Sequence, residues 1–172
     1  MIISIDGKNI IIDDELFDLI NSYKWFINKD GYVYRSAINN QEKRKYGSTV
    51  LLHRFIMRVD KNDGIIDHID NNPLNNCKNN LRKCTAAENS YNHKKYKNNT
   101  SGYKGVNYVC EKRKKKNGET YIKEYWKVTL TYKGKQYTKK FIYNEENLVK
   151  AVMYYNEKAK ELFGEFACLN IL

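Results

Sequence analysis

The stretch Ile65-Ile66-Asp67-His68-Ile69-Asp70-Asn71-Asn72-Pro73-Leu74-Asn75-Asn76, with Asn80-Leu81-Arg82 and then Asn89 behind it, decides how this chain is read. A carboxylate, an imidazole and several amides crowd together there, and the chain's one proline sits among them. Hydrolysis of a phosphodiester needs a base to activate water, a divalent cation to neutralise charge on the phosphate and departing oxygen, and fixed geometry. Asp67 can bind a hard cation through oxygen. His68, on the opposite side of a strand, can take the proton of water near neutral pH. Asn80 can fix the imidazole, directly or through a backbone contact, and Asn89 can add a second, neutral oxygen ligand. Taken alone, Asp67-His68 reads better as a hydrogen-bonded surface pair.

The surroundings of this stretch, residues 59 to about 97, are dense in Asn, Asp and His and poor in periodicity, which predicts a site built on loops. Thr85-Ala86-Ala87-Glu88 is a capping box, in which hydroxyl and carboxylate satisfy each other's orphan amides. It starts a helix near Ala86 and places Asn89 and His93 one turn apart on one face, so His93 can approach a metal or a phosphate. Asp70, Asn71 and Asn72 read as turn formers, and His53 as a packed structural histidine.

Upstream, Ile2-Ile3-Ser4-Ile5 and Ile10-Ile11-Ile12 flank the turn signal Asp6-Gly7-Lys8-Asn9 and predict a hairpin. Asp13 or Asp14 can cap a short helix over 15–20. Gly31 to Arg35 and Ser48 to Leu52 read as a strand pair around a polar, basic loop.

Downstream, Asn98-Asn99-Thr100-Ser101-Gly102 reads as a linker. Strand candidates follow at 104–112, 121–131 and 136–142, joined by turns at 116–119 and 132–135. A helix is predicted over 145–163, because Leu148, Val152, Tyr155, Ala159 and Leu162 form one apolar stripe between a cap at Asn144 and a stop at Gly164. One helix covers one face of such a sheet and leaves the other open for lysines and aromatics. Strand alternation turns Trp126, Val128 and Leu130 inward and Tyr125, Lys127 and Thr129 outward.

The 172 residues carry 31 Lys and Arg against 20 Asp and Glu, a formal net charge of +11. The excess is local. Residues 94–140 hold 15 basic groups against Glu111, Glu119 and Glu124, or +12, and the other 125 residues net −1. That distribution predicts a polyanion-binding surface in one stretch, with Lys112-Arg113-Lys114-Lys115-Lys116 as nonspecific phosphate contacts. An apolar fraction of 41% excludes a disordered chain, and no run of about 18 apolar residues exists to span a membrane. The N-terminus lacks the basic flank of a secretory signal, and the four cysteines form no CxxC pair. Reduced thiols in a reducing compartment, the cytoplasm, are the expectation.

The residues Asp67-His68, Asn80 and Asn89, with the flanks Leu52 to Met57 and Asn80 to Thr85, resemble the HNH family of ββα-metal nucleases, specifically the phage and mobile-intron homing endonucleases whose last motif position is Asn. The resemblance implies that Asp67 and Asn89 bind one divalent cation, Mg2+ or Mn2+, that His68 is the general base and that Asn80 orients it. No zinc is expected, because the zinc-bearing branch needs paired cysteines. Asn99 to Val106, Tyr125-Trp126-Lys127-Val128 and Glu145 to Asn170 resemble the plant ethylene-response-factor (APETALA) type DNA-binding domain, which reads DNA with its sheet in the major groove. Several contacts in that domain are arginines, whereas lysine dominates here, a pattern suited to phosphates rather than to bidentate reading of guanine.

The expectation is therefore an α+β chain. A nuclease domain over 1–97, with its ββα-metal core at about 48–97, precedes a three-stranded antiparallel sheet plus one helix over 98–172. Double-stranded DNA is the expected partner, met by Arg82, His93, Lys104, Asn107, Lys112, Arg113, Lys114, Lys115, Lys116, Tyr125, Lys127, Lys133 and Lys135, with the protein a monomer or homodimer. A DNA-binding regulator with an inactive nuclease half, or an RNA-binding basic protein, are the other readings of the same composition.

Overall fold

The structure, a computed structural model, describes residues 1–172. It is mixed α and β, compatible with the α+β class, and forms two compact units, Met1–Ser90 and Tyr91–Leu172.

In the first unit β1 (Ile2–Ile5) and β2 (Lys8–Ile11) form the hairpin that the sequence predicts. Asp6 and Gly7 both take positive φ at its turn, the geometry that a two-residue hairpin loop requires. Ile10 and Ile12 are fully buried. The β2 edge also holds a distant loop, because Ile11 N donates to Leu74 O and Asn76 N donates to Ile11 O. A short 3-10 turn over Asp14–Leu16 then leads into α1 (Phe17–Asn21).

The three strands β3 (Phe26–Ile27), β4 (Val33–Ser36) and β5 (Thr49–Leu51) make a small antiparallel sheet in that order. The connection from β4 to β5 is not the loop that the sequence suggests. It contains a helix, α2 (Asn40–Tyr46), capped by Asn39 Oδ1 accepting from Glu42 N at 2.9 Å. Seven residues are too few to hold a helix without help, and the help comes from the core face of β4. There Arg35, 2% exposed, donates to both Glu42 carboxylate oxygens at 2.8 and 2.6 Å. The Tyr23, Trp25 and Phe55 rings surround its guanidinium at 4.1 to 5.3 Å. That cation holds the Glu42 carboxyl below its usual range.

Next α3 (Leu52–Ile56) turns Leu52, His53 and Ile56 into the core. The hairpin β6 (Ile65–His68) and β7 (Leu81–Cys84) and the helix α4 (Ala86–Asn92) follow. The site stretch, expected on loops, thus has its first four residues, Ile65 to His68, on a strand.

In the second unit β8 (Val106–Lys114), β9 (Thr120–Tyr132) and β10 (Lys135–Ile142) form an antiparallel sheet with β9 central. The long helix α5 (Glu145–Phe163) has the predicted bounds, with Asn144 Oδ1 accepting from Asn147 N at 2.7 Å. Its stripe Ala151, Val152, Tyr155, Ala159 and Phe163 packs on Val106, Trp126, Val128 and Leu130. The segment over 98–102 is tied down rather than loose, because Asn99 Nδ2 donates to the carbonyls of Tyr103 and Val106, each at 2.9 Å. Tyr91 stacks on Phe163 at 4.2 Å, so this unit begins before the predicted boundary at 97.

Gly105 shows how tightly that core is built. Its φ is +72°, and a Cβ there would lie 2.2 Å from the Tyr155 ring, which is itself 2% exposed. Gly105→Ala is expected to cost at least about 3 kcal/mol through backbone strain and overpacking together. Calorimetry of the whole chain should show the transition of the second unit falling by several degrees.

Candidate active site

Antiparallel pairing of β6 with β7 places Asp67 opposite Arg82 and His68 opposite Leu81. Alternation sends His68 to the side of Ile66, against the core, and Asp67 to the other side. All three are buried, at 5 to 7% exposure.

The loop between these strands is organised by Asn80. Its carbonyl accepts from Ile69 N at 2.9 Å and its Oδ1 from Asp70 N at 3.1 Å. Its Nδ2 donates to Asp70 Oδ1 at 2.9 Å and to Asn75 O at 2.8 Å. One side chain thereby fixes the chain direction immediately after His68. These bonds, with those from Asn72 and Asn75, hold the Asp70 carboxyl below its usual range against the opposing effect of burial, the largest single influence on it.

The loop also brings in a residue to which the sequence reading gave no role. Asn76 is 1% exposed, and its Oδ1 lies 3.4 Å from His68 Nε2. Its Nδ2 donates to Pro73 O at 3.1 Å, which turns the amide oxygen toward the imidazole. Asn76 was one amide among several in its stretch. Only its anchoring to Ile11 on the β1–β2 hairpin sets it apart.

On the core side, His68 meets two rings. His53 lies 5.1 Å away edge-on, and Tyr32 lies 6.0 Å away, centroid to centroid. Burial lowers the His68 pKa from its ordinary value, against the raising effects of Asn76, Asp70 and Asp67. Burial pushes His53 down to about 3, helped by the neighbouring His68 and Arg54. A depressed folded-state pKa means stability that is complete above the unfolded value of 6.5 and lost as pH falls toward 3. At pH 5 the His53 contribution to that loss is about 2 kcal/mol. Melting temperatures at pH 7.5 and pH 5 should therefore diverge in the natural protein, and by clearly less in His53→Phe.

On the other side, Arg82 donates through Nε and Nη2 to Asp67 Oδ2 at 3.0 and 2.9 Å. Arg82, expected on DNA, is thus committed to Asp67, and the two side chains are only 11% and 8% exposed. The cross-strand register is the reason. Asn89 lies in the first turns of α4, behind the capping box. Thr85 N and Oγ1 each donate to Glu88 Oε2 at 2.8 Å, Glu88 N donates to Thr85 Oγ1 at 3.2 Å, and Asn89 N donates to Thr85 O at 2.9 Å. No group of three or more His, Cys, Asp and Glu side chains converges to hold a metal ion. A carboxylate and an amide suit a hard cation such as Mg2+, whose remaining positions go to water and phosphate oxygens. Asp67 is already paired with Arg82, so a cation there would share the carboxylate with that guanidinium or displace it.

The second unit sorts the DNA candidates by face. Asn107, Arg113, Tyr125 and Lys127 share the sheet face opposite α5, whereas Lys112, Lys114 and Lys135 share the parity of Val106, Val128 and Tyr137 on the helix side. Lys115, Lys116 and Lys133 occupy the turns, and Lys133 has φ +48°. Two of the expected contacts are placed otherwise. Tyr125 lies on the open face but is 4% exposed, with Lys140 Nζ 4.4 Å above its ring and its hydroxyl bonded to Glu111. Lys104 turns inward, its ammonium donating to Tyr91 O, and burial lowers its pKa. Arg113 is paired with Glu111, and His93 is exposed beside Tyr96. Lys140, which caps Tyr125, is the exposed cation that the sequence reading missed. Its register across the 133–134 turn was the available signal.

Over 164 residues, 95% of the chain, the sequence is 32% identical to an uncharacterised HNH endonuclease of Acanthamoeba polyphaga mimivirus, and the match spans 75% of that relative. Over 102 residues it is 38% identical to Protein 3.8 of Escherichia phage T7, across 59% of this chain and 72% of that one. No family model and no solved structure matches the chain.

Proposed function

Because the chain belongs to the HNH endonuclease family, we propose that it is a metal-dependent DNA endonuclease of homing type that hydrolyses phosphodiester bonds in duplex DNA with one site per chain. The observation that carries this reading is the way His68 is fixed, between Asn76 at one ring nitrogen and the Asn80-clamped loop behind it. The order strand, strand, helix from β6 to α4 supports a ββα-metal site.

Asp67 and Asn89 would hold Mg2+ or Mn2+, which when bound neutralises charge on the phosphate and the departing 3′ oxygen. The chain's own groups do the rest. Asn76 Oδ1 can only accept, so it favours the tautomer with hydrogen on Nε2 and leaves the basic lone pair on Nδ1. Burial keeps the imidazole neutral near pH 7, so it is ready to take a proton from water. Asn80 acts as a positioning residue, holding the backbone that carries His68. One site cuts one strand, so a monomer nicks, and a homodimer is needed to cut both strands at once. The basic second unit, read as an ethylene-response-factor type sheet and helix, anchors the protein on DNA by phosphate contacts. The T7 relative supports action in the cytoplasm of a bacterial host.

The test is supercoiled plasmid incubated with the protein and Mg2+ or Mn2+. Conversion to open circles, abolished by EDTA, is expected. Tight DNA binding with no nicking on any DNA in either metal would instead leave a DNA-binding regulator.

A further inference from the structure

We propose that α2 is a second phosphate-gripping element, which holds the backbone of the duplex that the site cuts; the proposal rests on the reading of the site as a DNA nuclease. The segment between β4 and β5 contains one carboxylate, Glu42, and four consecutive cation-bearing or aromatic positions, Lys43-Arg44-Lys45-Tyr46. Arg35 draws Glu42 into the core, so the helix presents its cations without an internal counter-charge. Lys43 and Arg44 are exposed, and neither is in an ion pair. Lys45 reaches Asp60 only at 3.8 Å, with both groups largely in water, where such a pair holds weakly. Lys61 adds a further exposed cation beside the helix end, because its backbone N donates to Lys45 O at 2.7 Å.

A solvated run of charge needs no anchoring, yet this one is fixed in place. Asn39 caps the helix, Glu42 Oε2 also accepts from Ile38 N at 3.0 Å, and the Arg35 guanidinium sits within three aromatic rings. Immobilised cations lose less side-chain freedom on meeting a phosphate than cations on a loose loop.

The position is also suitable. Tyr32 and His53, which touch His68, lie at the Tyr34–Leu51 end of the β4–β5 pair, and α2 lies beyond its Ser36–Thr49 end. A short strand pair thus separates α2 from the rings beside His68. The near-neutral charge of the first unit's sequence hides this patch, where Glu42 is turned toward Arg35 and Asp60 meets Lys45 only at 3.8 Å. The ligand class is the duplex sugar-phosphate backbone, without base reading.

The experiment measures duplex binding by the whole chain in EDTA across a range of salt. Lys43→Gln/Arg44→Gln is compared with the natural protein and with Lys8→Gln/Lys160→Gln, which removes two exposed cations elsewhere. Loss of two phosphate contacts should lower the slope of log affinity against log salt by about 1.8. It should also remove part of the backbone protection that the natural protein gives the duplex. An unchanged slope, or an equal fall in the Lys8/Lys160 variant, overturns the assignment. A natural protein that binds duplex but nicks no DNA in Mg2+ or Mn2+ sinks the nuclease reading beneath it instead, so the two failures are distinct.

Discussion

His68→Ala is expected to bind duplex DNA as tightly as the natural protein and to nick it about 100- to 10,000-fold more slowly, the range typical of losing a positioned general base. His68 is the one imidazole set between a strand end and the Asn80-clamped loop, with Asn76 fixing one of its nitrogens. The other buried imidazole, His53, is held neutral to about pH 3, so it is too weak a base to take over near neutral pH. Nicking of supercoiled plasmid under single-turnover conditions, beside a binding titration in EDTA, gives both numbers. Nicking at the natural rate would remove His68 from the mechanism.

The second large effect is at Asp67. Asp67→Asn should abolish Mg2+-supported nicking, because an amide is a poor substitute for a carboxylate on a hard cation. It should also lower stability by roughly 3 kcal/mol, since it deprives the buried Arg82 of that carboxylate. The two consequences separate in a double variant. Asp67→Asn/Arg82→Met removes both charges and should recover most of the melting temperature while leaving nicking absent. If the double variant regained activity, Asp67 would have mattered only to the fold.

Local signals in the sequence located much of this molecule, and tertiary ones did not. The bounds of α5, the hairpins at Asp6-Gly7 and Lys133-Gly134, and the Thr85–Glu88 box follow from caps, turns and periodicity, which act within a few residues. Asp67, His68, Asn80 and Asn89 stand out in the sequence because few other functions need those groups in one short stretch; their roles belong to the proposed nuclease reading. Helix α2 was not legible, because its anchors are Tyr46 against Phe55 and the core, and a guanidinium seven residues away inside an aromatic box. Arg82 was misplaced because composition gives a cation's sign and not the residue opposite it. Tyr125 was assigned to the right face by alternation, but its cover by Lys140 depends on the register of a third strand. Asn76 could not be told from Asn71, Asn72 and Asn75 without the packing that buries it.

The single ion pair between Arg35 and Glu42 makes the stretch from residue 37 to residue 48 an exchangeable cassette. It enters and leaves between paired strands and sends one charged side chain inward. Another insert could change the reach and grip of the protein on its substrate while leaving the hydrolytic residues where they are, on one condition. It must return a carboxylate to Arg35, because a guanidinium 2% exposed and stripped of its partner would undo the hydrophobic centre beneath it. Divergence in this part of the chain therefore has room in length and in outward charge, and almost none in that one acid.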